Sequence, residues 1–512
     1  MLGYERGANQ SDPAPYAAEG LMRSLLGVGA LVGVLAFALP QATAADLPQA
    51  AAADEARAAP ETVEAVFADE QTNQYVLDIE AAMARAQAAH GAIPRSAADA
   101  ITRKADIRFA PTEEINKERD VVQHRMVALL NVWRRAVDPD ARQYVHYGAT
   151  TVDIYDTALA LQLQRSTVLI IEDLRHIETI LIKAALEYQD AIMPGRTLGQ
   201  HALPITFGKK ISTWIGENRR NIERLKLLLG ELDQSAILKG AVGTYAGLGS
   251  RAIEIERTFA KELGLSRPYS DDWHASRDVF ASYALTLALV SKLYGDIGQE
   301  LFLLQMTEIG ETEEHRKSTS VSSSSMAQKV NPSKSEALIH AARTIPRLAE
   351  VVLDDVVNFF ERDSTAGPNE VLEEISIATE ANLRTATRLL ETLQVNRAAM
   401  RENLNKTKGL IMTQRVAFAL SPKIGKEEAD ERLHAIAQLA LQTNVDFRTA
   451  LLQDPTVSKL LSAQELDELL QPEGYIGLAL EEVAAVIAHV EALRPTDPVG
   501  RSPRRQAAQG NR

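Results

Sequence analysis

The sequence predicts an all-α protein of three helical domains, and three observations predict it. Apolar residues recur at the helical spacing of three and four over long runs. No stretch alternates apolar and polar residues long enough to build a sheet. Aromatics are only 5% of the 512 residues while Ala, Leu and Glu are plentiful, a balance that leans towards helix. The length allows two or three domains around large cores.

Taken in chain order, residues 1–45 form an N-terminal extension. Within it "MRSLLGVGALVGVLAFALPQATAAD" places Arg23 before an apolar run from Leu25 to Leu39, followed by small residues up to Ala45. This is the layout of a secretory signal peptide spanning about 22–45, and it predicts a periplasmic or secreted protein. At about 15 residues the run is short for a bilayer span. A retained anchor is the alternative, and a cytoplasmic protein follows if the N-terminus is misread. Residues 46–61, rich in Ala, Pro and acidic groups, read as a disordered lead-in.

Residues 62–157 read as a helical N-terminal domain ending in the loop "DPDARQYVHYGATTVD". Residues 158–398 read as a long five-helix bundle that would pack into a tetrameric core. Its first stripe is Ile170, Leu174, Ile177, Leu181 and Ala184; its second is Ile211, Ile215, Ile222, Leu225 and Leu229. A third run covers about 278–309. The fourth, from after Pro332 to Phe360, contains Pro346, which cannot donate to the helix ladder. A fifth covers about 373–393. Residues 399–493 read as a smaller helical domain, and 494–512 as a disordered tail.

Composition narrows the chemistry. With no cysteine, thiol catalysis, disulfides and Cys-type zinc sites are excluded. The net charge of −14 argues against a nucleic-acid partner, because phosphate binding needs a basic surface. No His/Asp/Glu cluster stands at metal-ligand spacing, so no metal or cofactor is expected. No membrane segment follows the signal.

Four polar or Gly-rich islands interrupt the helices: "VHYGATTVDIYDT" (145–157), "GRTLGQHALP" (195–204), "KGAVGTYAGLG" (239–249) and "SSSSMAQKVNP" (322–332). Taken singly, a serine run is a flexible linker, a loop His a solvated or capping group, and Asn before Pro a turn. Taken together, loop-borne His, Thr, Asp, Ser, Lys and Asn would make an acid/base and carboxylate-binding set on a rigid scaffold.

In order and in wording, the islands resemble the fumarase/aspartase superfamily of lyases, over about Phe67 to Gly477. "SSSSMAQKVNP" resembles the signature GSSxMPxKxNP. The 145–157 and 195–204 segments are similar to the 3-carboxy-cis,cis-muconate cycloisomerase branch, and "KGAVGTY" to the adenylosuccinate lyase branch. The resemblance implies reversible β-elimination or addition next to a carboxylate, through an aci-carboxylate carbanion that needs fixed cations and donors in a dry site. It implies Ser323 as general base, His201 as catalytic histidine and Glu336 as the group that orients it. Lys329, Asn331, Thr150, Thr151, Gln200, His124 and His146 would bind substrate. It also implies a small polycarboxylate substrate and a homotetramer with composite sites.

The chain departs from the family pattern at Ser322 (for Gly), Ala327 (for Pro), Thr151 and Val152 (for Ser and Gln) and Leu198 (for His). His274 matches a cycloisomerase segment and has a structural reading. Leu198 and His201 favour a cycloisomerase-like enzyme; "KGAVGTY" and His124 favour a C–N lyase releasing fumarate from an N-substituted aspartate. An inactive family member is the reading from outside enzymology.

Overall fold

The computed structural model describes residues 59–270, 276–315, 325–326, 328–363 and 368–498. The expected signal at 22–45, most of the lead-in and tail, and Ser322, Ser323, Ala327 and His274 lie outside the described residues. What is described is predominantly helical. Five helices come first: α1 (Val63–Phe67), α2 (Asp69–Ala89), α3 (Arg95–Arg103), α4 (Thr112–Val122) and α5 (Arg125–Ala136). Trp133 of α5 packs into one core with Leu77, Ile79 and Met83 of α2. Buried indole N–H groups need a partner, and Trp133 donates to the Lys104 carbonyl at 2.5 Å.

The next helix, α6 (Thr151–Glu187), has 37 residues and so extends about 55 Å at 1.5 Å per residue. Ile170, Leu174, Ile177 and Leu181 are buried along it, with Ala185 in place of the expected Ala184. Strands β1 (Ile192–Thr197) and β2 (Gln200–Thr206) then turn the chain round, and α7 (Phe207–Leu232) returns along α6, burying Ile211, Ile215, Ile222 and Leu225. After α8 (Ala252–Glu262), which packs on α2, α9 (Asp278–Leu304) crosses the bundle again. Beyond β3 (Thr312–Glu313), α10 (Ser333–Asp354) comes back and α11 (Pro368–Glu391) completes the five-helix bundle. Strand β4 (Gln394–Val395) pairs with β3.

Six helices follow: α12 (Arg397–Asn405), α13 (Thr413–Ile424), α14 (Lys426–Thr443), α15 (Phe447–Gln453), α16 (Val457–Leu460) and α17 (Ala463–Leu469). Leu420, Leu433 and Phe447 centre a third core among them. The last helix, α18 (Ala479–Leu493), packs on α7 and adds Val483 and Val490 to the core of the bundle. Among the described residues no helix is long and apolar enough to cross a membrane.

Further details differ from the sequence reading: Asp497, in the expected disordered tail, is buried and accepts from Arg219 at 2.9 Å. The fourth long helix ends at Asp354 and carries Pro346 inside it, short of the expected Phe360. The segment "GRTLGQHALP" is a hairpin, not a loop. Leu198 and Gly199 both take positive φ, 52° and 77°, the two-residue turn whose twist matches that of the strands. Pro194 pairs with Pro204 across the strands, and prolines at both positions hide the alternation that marks a strand.

The bundle is registered by small residues and by buried hydrogen bonds. A Cβ on Gly295 of α9 would stand 2.2 Å from the Cβ of Ala342 on α10, and one on Gly298 would stand 2.9 Å from the Cβ of Leu338. Tyr294 donates to Asn218 Oδ1 at 2.7 Å, and Asn218 donates to the Leu174 carbonyl at 3.1 Å, which links α9, α7 and α6. Gly295→Ala should therefore force α9 and α10 apart and destabilise the protein by roughly 1–3 kcal/mol. Chemical denaturation at fixed protein concentration reads this. Recovery in the double variant with Ala342→Gly is expected, and an unchanged midpoint in Gly295→Ala contradicts the close approach.

Candidate active site

The start of α6 gathers two of the four islands. Asp153 is fully buried in the first turn. Its Oδ2 accepts the N–H groups of Thr150 and Gly240, both at 3.0 Å, and its Oδ1 accepts that of Lys239 at 2.9 Å. One carboxylate thus ties the 145–157 island to the 239–249 island. Burial pushes the Asp153 carboxyl up, against the downward pull of those three N–H donors. The islands also touch through backbone: a Cβ on Gly148, whose φ is 77°, would lie 2.7 Å from the Gly247 carbonyl oxygen. Only glycine fits there. Buried Arg277 closes the same end, donating to Asp156 (2.9 Å) and Asp355 (2.8 Å) and so pinning the start of α9 and the end of α10 to α6.

His146, Thr150 and Thr151 sit on this end, half-buried. His124 caps α5, its Nδ1 accepting the Val127 N–H at 3.3 Å, and is exposed. The Arg125 guanidinium beside it lies 5.2 Å from the Tyr155 ring of α6, so α5 delivers His124 to the same region. Tyr155, with a buried hydroxyl, has its pKa pushed up by burial to about 12.

The opposite end of the bundle carries the other two islands. Arg196 of β1 makes a bidentate pair with Glu311, at 2.9 and 2.6 Å, and Glu311 is fully buried. Asn403 of α12 donates to the same carboxylate at 2.6 Å. The hairpin is thereby fixed to the segment after α9 and to α12. On it His201 is half-buried, with a buried Nδ1 that has no partner among the described residues. Burial first, then the Arg196 guanidinium, holds the His201 imidazole below its usual pKa, so it rests neutral. Gln200 and the turn residue Leu198 are exposed, Leu198 completely. A left-handed conformation in a leucine is costly.

At this end, too, the descent from the serine stretch is held. Glu314 accepts the N–H groups of Ser335 (2.7 Å) and Lys334 (3.1 Å) at the start of α10. Gln305 donates to the Val330 carbonyl at 3.0 Å and accepts the Glu314 N–H at 2.8 Å. Lys329 is exposed and Asn331 half-buried just before this anchor, and Glu336 is exposed on the first turn of α10. Among the described residues no group of His, Asp and Glu is placed to hold a metal ion.

One chain therefore brings the expected residues together in two sets and keeps the sets apart. His124, His146, Thr150 and Thr151 lie at the start of α6. Gln200, His201, Lys329, Asn331 and Glu336 lie beyond its far end, about 55 Å of helix away. Of the carboxylates that fix these loops, Asp153 lies in an island, whereas Glu80, which accepts the His146 backbone N–H at 3.0 Å, Glu311 and Glu314 lie outside all four. Asp153 had a signal, since an acidic residue three positions after Thr150 is a helix-start pattern. The other three are acidic residues on helices or short segments far from their partners in sequence.

Comparison with known proteins gives a consistent family. The profile of a family described as lyase matches residues 55–346, and that of the adenylosuccinate lyase C-terminus matches 409–486. The N-acetyl-S-(2-succino)cysteine lyase of Dickeya dadantii is 33% identical, the match covering 84% of this chain and 94% of that protein. The adenylosuccinate lyase of Methanocaldococcus jannaschii is 34% identical over 82% of this chain and 92% of its own. Among solved structures, the 3-carboxy-cis,cis-muconate lactonizing enzyme of Pseudomonas putida superposes with a TM-score of 0.77 at 32% identity, covering 84% of this chain and 97% of that one.

Asp153→Asn keeps the shape and halves the accepting capacity of a side chain that serves three N–H groups. It should cost roughly 2–3 kcal/mol of stability, read by chemical denaturation. A loss below about 0.5 kcal/mol, the range of ordinary surface changes, contradicts the role given to this carboxylate.

Proposed function

The chain belongs to the fumarase/aspartase superfamily of lyases, and from that premise we propose that it removes a proton from the carbon beside a substrate carboxylate and expels the group on the next carbon, or runs the matching addition. The substrate is a small polycarboxylate. In this reading Ser323 is the base, acting as an alkoxide. Lys329 supplies a full positive charge, Asn331 an amide donor, and Thr150 and Thr151 hydroxyl donors, for the dianion that proton removal creates. His201 transfers the proton at the leaving group. Its neutral resting state suits a group that picks up a proton when an anionic substrate arrives, since a nearby carboxylate raises a histidine pKa. Glu336 orients it, and His124, His146 and Gln200 complete the binding surface.

The observation that supports this reading best is the grouping of His201, Lys329 and Asn331 at one end of the bundle, with an apolar, non-ionisable Leu198 at the hairpin tip. Leu198 leaves His201 as the proton-transferring histidine of the hairpin, which favours a reaction most like that of the cycloisomerases. A homotetramer is part of the same proposal. Copies running antiparallel would bring the α6 start of one chain to the hairpin end of another, and each site would then draw on several chains.

A second reading has specific support. The Dickeya relative is named for an S-(2-succino) thioether and the Methanocaldococcus relative for adenylosuccinate, so fumarate release by cleaving the C–S or C–N bond of a 2-succino group, as the proton on the neighbouring carbon leaves, uses the same carbanion with a different leaving group. Ultraviolet progress curves decide between them, for the chain starting at Asp46 and for Ser323→Ala. The compounds are 3-carboxy-cis,cis-muconate, adenylosuccinate, argininosuccinate and N-acetyl-S-(2-succino)cysteine. Turnover of the muconate, reduced roughly a hundredfold or more in the variant, is expected. Turnover of a succinyl compound alone selects the second reading, and full activity in Ser323→Ala removes Ser323 as the base.

A further inference from the structure

His146 holds a backbone conformation that a histidine adopts at a cost, φ 61°, and a single buried side chain compensates it. Glu80, in the middle of α2 and 1% exposed, uses both oxygens on this residue. Oε2 accepts the His146 backbone N–H at 3.0 Å, and Oε1 lies 2.6 Å from Nδ1. A carboxylate so placed accepts, so Nδ1 carries a proton and Nε2 is the nitrogen left for anything outside. The neighbouring Tyr147 carbonyl accepts from Gln87 at 2.6 Å, one α2 turn pair further on, so α2 holds the loop on both sides of the ring. We infer that Glu80 is a positioning residue that fixes the tautomer and orientation of His146, so that the imidazolium presents Nε2–H as a fixed cationic donor to a substrate carboxylate. The substrate part rests on the proposed function; the pairing itself does not.

The surroundings agree in sign. Burial is the largest influence on His146 and lowers its pKa. The hydrogen bond and charge of Glu80 act the other way, helped by Asp153 of α6 and opposed by Arg134 of α5, and the balance is a raised value. The cation therefore persists above the ordinary histidine range of about 6.5. Its contribution is fully present below that pH and is lost as pH rises through the raised value. A buried carboxylate with no cation would be costly, so Glu80 and His146 stabilise each other's charge.

Diethylpyrocarbonate acylates only neutral imidazole, so the pH profile of its reaction at His146, followed by mass spectrometry of the peptide, reads the protonation state without any substrate. In the unaltered protein the midpoint should lie above about 6.5. Glu80→Gln should lower it by about one unit or more, while Glu80→Asp, which keeps the charge, should retain most of the elevation. A midpoint at or below the ordinary value in the unaltered protein overturns the pairing, whether or not the variants fold. So does equal behaviour of the two variants. Succinate binding by calorimetry tests the rest: affinity should fall as pH rises through the His146 midpoint, and at lower pH in Glu80→Gln. An elevated midpoint with succinate binding that ignores it overturns the role toward substrate and leaves the pairing standing.

Discussion

The length of α6 is the constraint on which the rest depends. A helix of 37 residues, with four partners of 22–27 residues, shares one apolar core with them, and the chain reverses at the two ends. The loops that carry the expected site residues are therefore sorted into two groups by bundle geometry. Distance along the sequence says little about which group a loop joins: residues 145–157 and 239–249 share one end through Asp153, while 195–204 and 325–336 share the other through the segment after α9.

At both ends the fastening follows one principle. A buried carboxylate accepts backbone N–H groups or a guanidinium and so joins segments that are distant in sequence. Asp153 joins two islands, Glu80 joins α2 to His146, Glu311 joins the hairpin to α12 through Arg196 and Asn403, and Glu314 holds the start of α10. Buried charge is expensive unless fully partnered. Each of the four uses both oxygens or meets at least two partners, which turns a cost into geometric specificity for the loops they fasten.

The helices were legible because burial on one face leaves a period of 3.6, as Ile170, Leu174, Ile177 and Leu181 show. The ends were not. Pro194 and Pro204 mask the hairpin's alternation, and the turn relies on a left-handed Leu198 that no turn rule favours. Lys329, Asn331 and His201 stood out as polar residues in islands. Glu80 and Glu311 looked like ordinary acidic residues of a helix or a loop, because what makes them matter is a partner 66 or 115 positions away. Sequence periodicity carries no information about such pairs.

The proposal that no single chain holds the whole site is tested most directly by subunit complementation. His146→Gln and His201→Gln each damage a different end, and each should be inactive alone on whichever substrate the unaltered protein turns over. Unfolded together and refolded as a mixture, they should regain activity, because some sites then draw both intact ends from different chains. No recovery, with mixed oligomers verified by native mass spectrometry, would contradict a site built across chains.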